Sequence, residues 1–110
     1  MSAAENASLR VAQEICQDQY PQNLENCSIT FSRMHGNCLA CHFILGGTQP
    51  GNVGPPLLEM KTRFPKRSTL RMQIWDPETK NKNSIMPSFG KYQVLTEEQI
   101  DKVIDFIYTL

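Results

Sequence analysis

Apolar residues recur at helical spacing near the start of the chain. Between residues 3 and 19 many of them fall three or four positions apart, which is typical of an amphipathic helix. Pro21 and Asn23 follow directly and interrupt the pattern. We therefore predict a first helix over residues 3–19, with an apolar side formed by Leu9, Val11, Ala12, Ile15 and Cys16.

The end of the chain carries the clearest helix prediction. Thr96 and Gln99 are spaced as a capping box, in which each side chain binds the backbone N–H of the other residue. Glu97 and Glu98 fall in the first turn, where the helix dipole favours negative charge. Apolar residues then follow the i, i+3, i+4, i+7 rule and form one face, which consists of Ile100, Val103, Ile104 and Ile107.

Two shorter helices are predicted between these ends. The first covers residues 29–35 and stops at Gly36-Asn37. The second covers residues 69–75, with Ser68 as its N-cap and Asp76-Pro77 as its end.

Loops account for much of the remaining chain. Residues 46–56 are mostly Gly and Pro, and a second irregular stretch covers residues 78–94. No stretch alternates apolar and polar positions as a half-buried strand does. The sequence therefore predicts an all-α fold with long loops.

Composition narrows the possible functions. A chain of 110 residues fits one domain, and its 11 acidic and 11 basic residues give no reason to expect nucleic-acid or membrane-surface binding. No apolar run approaches the roughly 18–20 residues that span a bilayer. Because only 40% of the residues are apolar, a small domain of this kind would gain from a large buried prosthetic group.

The motif Cys38-Leu39-Ala40-Cys41-His42 points to such a group. Two cysteines separated by two residues in a helical turn place both thiols within reach of the haem vinyl groups. The histidine that follows then directs its imidazole at the iron as an axial ligand. We therefore predict one covalently attached haem c, held by Cys38 and Cys41 and ligated by His42.

Two other uses of closely spaced cysteines fit the sequence less well. A thioredoxin-type redox pair needs a strand before it, and none is predicted before Cys38. A zinc site needs four ligands, usually with a second close pair. Cys16 and Cys27 are too far apart to be that pair, and His35 alone does not complete the set.

A second axial ligand must approach from the opposite face of the haem, and a thioether suits electron transfer. Met86 is the leading candidate, because it lies in a loop and Pro87 favours an extended backbone before it. Met60 comes next but is expected to be a packing residue. Three other candidates are less suitable. Met34 is too close to the motif, Met72 lies in a predicted helix and is expected in the protein core, and His35 is expected at the surface.

Gly54-Pro55-Pro56 shortly follows His42. The Pro55 carbonyl is free to accept the proton on the second ring nitrogen of the histidine, which would fix the orientation of the imidazole. An ordinary turn containing two prolines explains the same residues equally well.

Haem is attached to such motifs outside the cytoplasm, so we expect an exported, periplasmic protein. The polar start of the chain lacks the basic and apolar regions of a signal peptide, which we take to be absent from this sequence. In an exported protein the remaining Cys16 and Cys27 are expected to form a disulfide. Two free thiols are the alternative.

A basic cluster, defined as Lys61, Arg63, Lys66, Arg67 and Arg71, contains no acidic residue. It is interpreted either as solvated surface or as a site that neutralises haem propionates or guides an acidic partner. The aromatic residues Trp75, Phe31, Phe64 and Phe89 are expected to pack around the haem and in the core. No catalytic residues are predicted.

Four segments together resemble SoxX, the small monohaem subunit of the SoxAX cytochrome of thiosulfate oxidation. They are GNCLACH at residues 36–42, QPGNVGPPL at 49–57, MPSFG at 86–90, and the ending LTEEQI to DFIYTL over 95–110. The resemblance covers about residues 36–110 and implies a class I cytochrome c fold. We expect the haem domain to cover residues 28–110, preceded by an N-terminal helical extension over residues 1–27 that the disulfide closes. The resemblance also implies iron ligation by His42 and Met86, and the carbonyl role for Pro55.

The same resemblance implies a partnership. A SoxA-like haem subunit would form the heterodimer and carry out the L-cysteine S-thiosulfotransferase reaction, joining thiosulfate oxidatively to a cysteine of the carrier SoxYZ. The present chain would be a non-catalytic relay that passes the electrons to a soluble cytochrome c. The alternatives are a free-standing class I electron shuttle and a haem-based ligand sensor or peroxidase, which would need an open iron position.

Overall fold

The computed structural model describes residues 2–110, and the regular elements within them are all helical. Within these residues there are three short 3₁₀ turns, Pro21–Asn23, Cys38–Ala40 and Pro77–Thr79, and no β-strand. The all-α prediction is therefore confirmed for the described chain. The α-helices are α1 (Ala3–Gln19), α2 (Leu24–Phe31), α3 (Met60–Arg63), α4 (Arg67–Trp75) and α5 (Glu97–Ile107). None of them is long and apolar enough to cross a membrane.

Helix α1 has the predicted bounds and is tied covalently to α2. A capping box between Ser2 and Glu5 starts the helix. The two helices pack along each other, and a disulfide joins Cys16 to Cys27 with the Cα atoms 5.9 Å apart. Both cysteines are fully buried. The domain boundary expected between residues 27 and 28 falls inside α2, and the division stays a prediction.

Helix α2 differs from the predicted span of residues 29–35. It begins directly after the Pro21–Asn23 turn and ends at Phe31, because Ser32 adopts an extended backbone. The Ser32 hydroxyl binds Nδ1 of His35 at 2.8 Å, and this local bond replaces a further helical turn. Residues 32–37 consequently form a turn that leads into the cysteine motif.

The core is built on α5. Its predicted apolar face is buried and packs against α2 and α4. The predicted capping box is also present, since the Thr96 hydroxyl accepts from the Gln99 N–H at 3.1 Å and Gln99 Oε1 accepts from the Thr96 N–H at 2.9 Å. Edge-to-face contacts join Phe106 to Tyr20 and Phe31, with ring centroids 4.8 and 5.9 Å apart.

Ion pairs hold α4 against α5. Arg67 donates to the Asp105 carboxylate at 2.7 Å, and Arg71 pairs with Asp101. Two of the five residues of the basic cluster are thus paired within the chain, where they offer less positive charge to a partner. The predicted N-cap Ser68 is wrong, because α4 already begins at Arg67 and Lys66 occupies the cap position without a side-chain bond.

The disulfide generates a stability prediction. Replacing both cysteines by alanine in the holoprotein should lower the free energy of unfolding by about 2–3 kcal/mol, since the short loop between them is no longer constrained in the unfolded chain. Denaturant unfolding followed by far-UV circular dichroism measures the change. Neither cysteine lines the cavity described below, so the visible spectrum of the haem should stay the same. An unchanged free energy of unfolding would show that the noncovalent contacts of α1 suffice.

Candidate haem-binding site

A cavity of about 800 Å³ lies between α3, α4, α5 and the long loops. The predicted site residues Cys38, Cys41, His42 and Met86 all line it, as does Pro55. Most of the remaining lining is apolar and includes Leu57, Met60, Leu70, Ile74, Phe89 and Leu95. The structure therefore brings together residues that are up to 48 positions apart (from 38 to 86).

The two motif cysteines lie on a tight turn at the cavity wall. Asn37 enters the turn in the left-handed conformation, with φ 51°, and the N–H groups of Cys41 and His42 both bind the Cys38 carbonyl. The two thiols are free and half-buried. Burial raises the pKa of the Cys38 thiol to about 12, so this thiol is neutral when unmodified.

His42 is held by the loop that follows it. Its Nδ1 lies 2.6 Å from the Pro55 carbonyl oxygen. Because a carbonyl can only accept, Nδ1 carries the proton and Nε2 keeps its lone pair for a metal. This is the arrangement that the resemblance implies for Pro55, and it distinguishes the segment from a turn without a partner.

Glycine is required beside the imidazole. A Cβ atom at Gly54 would lie 2.3 Å from Cε1 of His42, so a side chain there would displace the ring. The Gly54 N–H also donates to the Cys41 carbonyl at 2.7 Å, and the Gly51 N–H donates to the Leu39 carbonyl at 2.8 Å. These bonds fasten the loop to the motif and present the Pro55 carbonyl to His42.

The Met86 loop is attached to the end of α4. The N–H groups of Phe89 and Gly90 donate to the carbonyls of Ile74 and Trp75, at 3.1 and 3.2 Å. A Cβ atom at Gly90 would lie 2.1 Å from the Trp75 ring, so the backbone passes directly over the indole. Met86 itself is half-buried and packs against the core.

The structure reduces the four candidate methionines to two. Met60 is 2% exposed and lines the cavity with Met86, whereas Met34 and Met72 are 50% and 45% exposed and do not. The expected core role of Met72 is wrong, since its position on α4 faces outward. The choice of Met86 over Met60 stays a prediction.

His35 was expected at the surface and is instead 7% exposed. The turn after α2 folds it inward, where it lines the cavity and binds Ser32. Ser32 in turn lies 2.6 Å from the Ser8 hydroxyl on α1, so a chain of polar side chains links α1 to the cavity wall. The serine three positions before His35 is the one local signal of this arrangement.

The comparisons with known proteins bear on what occupies the cavity. The family model described as "Cytochrome C oxidase, cbb3-type, subunit III" matches residues 29–107. The chain belongs to this cytochrome c family. No curated protein and no solved structure matches the chain. The fold is thus a cytochrome c fold, and such domains are usually extracytoplasmic and transfer electrons.

The cavity of this cytochrome c domain suits a covalently bound haem. It combines apolar walls for the macrocycle, two free thiols for its vinyl groups, and an imidazole with an available Nε2. Two cationic lining residues, Arg33 and Arg63, suit the carboxylates of haem. The cofactor is accordingly haem c, one per chain. Among residues 2–110 no cluster of three or more His, Cys, Asp and Glu side chains fits the zinc alternative.

The contact between Gly54 and the imidazole generates a second prediction. Gly54→Ala should force His42 or the loop to move, lowering the free energy of unfolding of the holoprotein by about 1–3 kcal/mol. It should also change the electron paramagnetic resonance g values of the oxidised protein, which report the orientation of the axial imidazole. Asn52→Ala in the same loop is the matched control, because Asn52 is exposed and lies outside the cavity lining. Wild-type g values in Gly54→Ala would contradict the close contact.

Proposed function

We propose that this cytochrome c domain is a SoxX-like electron relay whose haem iron is ligated by His42 and Met86. The observation that carries the proposal is the single cavity that gathers Cys38, Cys41, His42 and Met86. When bound, haem supplies a one-electron couple whose potential a His/Met ligand pair raises. The protein contributes attachment, orientation and exclusion of water.

Each of these contributions has its own residues. Cys38 and Cys41 become thioether attachment points on one wall of the cavity. The Pro55 carbonyl holds the Nδ1 proton of His42, which fixes the ring and increases the basicity of Nε2. The buried side chains Leu70, Ile74 and others keep the surroundings apolar. A methionine that occupies the sixth position leaves little room for a substrate or gas, which disfavours a sensor or peroxidase.

The proposed pathway follows from the resemblance to SoxX. The motifs that carry this resemblance, at residues 36–42, 49–57 and 86–90, each contribute residues to the lining of the cavity. We propose that the chain is the non-catalytic relay of a periplasmic L-cysteine S-thiosulfotransferase complex. A SoxA-like haem subunit would be its heterodimer partner and SoxYZ a transient one. Oxidative coupling of thiosulfate to the carrier cysteine releases two electrons, which this chain passes singly to a soluble cytochrome c.

A second candidate is favoured by the family match. The description of that family names an oxidase subunit, so electron delivery to a terminal oxidase is the competing proposal. A free-standing shuttle is the third. The internal ion pairs of Arg67 and Arg71 reduce the basic charge available for steering an acidic partner, so a stable interface suits the chain better than long-range attraction.

Met86→Ala tests the ligand assignment. The oxidised holoprotein should lose its thioether-to-iron charge-transfer band completely, and its reduction potential should fall, because a sulfur ligand is removed. Met72→Ala is the matched control, since Met72 lies on α4, is exposed and does not line the cavity. If the band survives in Met86→Ala but disappears in Met60→Ala, the iron ligand is Met60 and not Met86.

Co-purification tests the pathway. Tagged holoprotein expressed in its native host should retain a larger cytochrome subunit through size-exclusion chromatography, and the complex should reduce a soluble cytochrome c when thiosulfate and SoxYZ are added. An unrelated tagged monohaem cytochrome serves as the control. Recovery of oxidase subunits would favour the second candidate. A monomer that is fully active alone would refute the relay proposal.

A further inference from the structure

The sulfur of Met86 has a hydrogen-bond donor within the cavity. Nε2 of Gln73 lies 3.7 Å from Met86 Sδ, within the range of a weak bond to sulfur, and both residues line the cavity. We propose that Gln73 is a positioning residue that orients the Met86 sulfur and raises the reduction potential of the haem. This inference rests on the proposed ligation by Met86.

The chemistry follows from the two lone pairs of a thioether. If the Gln73 amide engages one of them, the other is the pair available to iron, and a single configuration at sulfur is favoured. A sulfur that accepts a hydrogen bond is also a weaker electron donor to the metal. A thioether raises the potential because it is a weak electron donor and so favours reduced iron. A further loss of donation makes the reduced state relatively more stable again.

Backbone hydrogen bonds hold the Met86 loop at a fixed position relative to Gln73. Gln73 precedes Ile74 and Trp75 on α4, and the carbonyls of these two residues accept the N–H groups of Phe89 and Gly90 from the Met86 loop. The donor and the sulfur are therefore anchored to the same turn of the helix. Ser88 adds a bond to the Asp76 carboxylate at 3.1 Å, just beyond that turn.

The opposite side of α4 is held by other residues. Arg67 and Arg71 pair with Asp105 and Asp101 of α5. The helix is thus fixed against α5 without using Gln73. Its amide remains available to the cavity.

The two cavity methionines differ in the donor that each sulfur receives. Met60 Sδ lies 3.4 Å from the charged Nη1 of Arg63, which also donates to the carbonyls of Pro56 and Leu58. Met86 faces a neutral amide. A cationic donor withdraws more electron density from sulfur than a neutral one, so Met86 is the better ligand of the two.

Gln73→Leu removes the donor with little change in volume or charge. The thioether band should persist, but the equilibrium constant for reduction should fall about threefold to tenfold. This factor corresponds to the net free energy of one neutral hydrogen bond. At 59 mV per tenfold this lowers the midpoint potential by about 30–60 mV. The methyl resonance of Met86 in the reduced protein should also show exchange between two sulfur configurations.

Two further variants complete the test. Met72→Leu, on the same helix but exposed, should leave both the potential and the methyl resonance unchanged. Gln73→Asn keeps an amide on a shorter side chain that no longer reaches the sulfur, so it should lower the potential as Gln73→Leu does. It replaces Gln73→Leu in the test if that variant does not fold. An unchanged potential in the folded Gln73 variant, with the band lost in Met86→Ala, would overturn the inference and leave the proposed ligation standing. A band that survives in Met86→Ala would overturn both.

Discussion

The hydrogen bond from His42 to the Pro55 carbonyl is the contact on which the rest of the cavity depends. At 2.6 Å it requires the loop backbone to lie against the imidazole, and this leaves no space for a side chain at residue 54. The loop in turn needs fixed ends, which the Gly51 and Gly54 N–H groups provide by binding the motif backbone. The bond to the ring nitrogen and the two backbone bonds together hold in place a glycine- and proline-rich segment that has no regular structure of its own.

Features determined by neighbouring residues were predictable from the sequence. The bounds of α1 and the capping box of α5 depend on spacings of three or four residues, and both agree with the structure. The end of α2 and the burial of His35 were predicted wrongly. Both depend on the turn at Ser32 and its contact with Ser8, which is 24 positions away in the chain. Such a contact leaves no periodic signal.

In the site, too, the sequence predicts what neighbouring residues determine and does not predict what distant contacts determine. Cys38, Cys41 and His42 lie within one five-residue motif, so their role in haem attachment can be predicted without knowing the fold. The proposed sulfur ligand cannot be identified in this way, because the methionine that reaches the cavity depends on how α3, α4 and the loop before α5 pack. The structure leaves Met60 and Met86, and separates them by their donors, Arg63 and Gln73. The ion pairs of the basic cluster likewise join residues 26 or more positions apart.

The attachment of the Met86 loop to α4 has a consequence for how the protein opens. Because the loop amides of Phe89 and Gly90 bind the terminal carbonyls of the helix, neither segment can leave its place without exposing polar groups of the other. Helix α4 and the loop therefore form one cooperative unit of local unfolding, distinct from the disulfide-linked pair of α1 and α2. Slow hydrogen exchange in α4 and retention of Met86 in the cavity are then two measures of the same free energy of local opening.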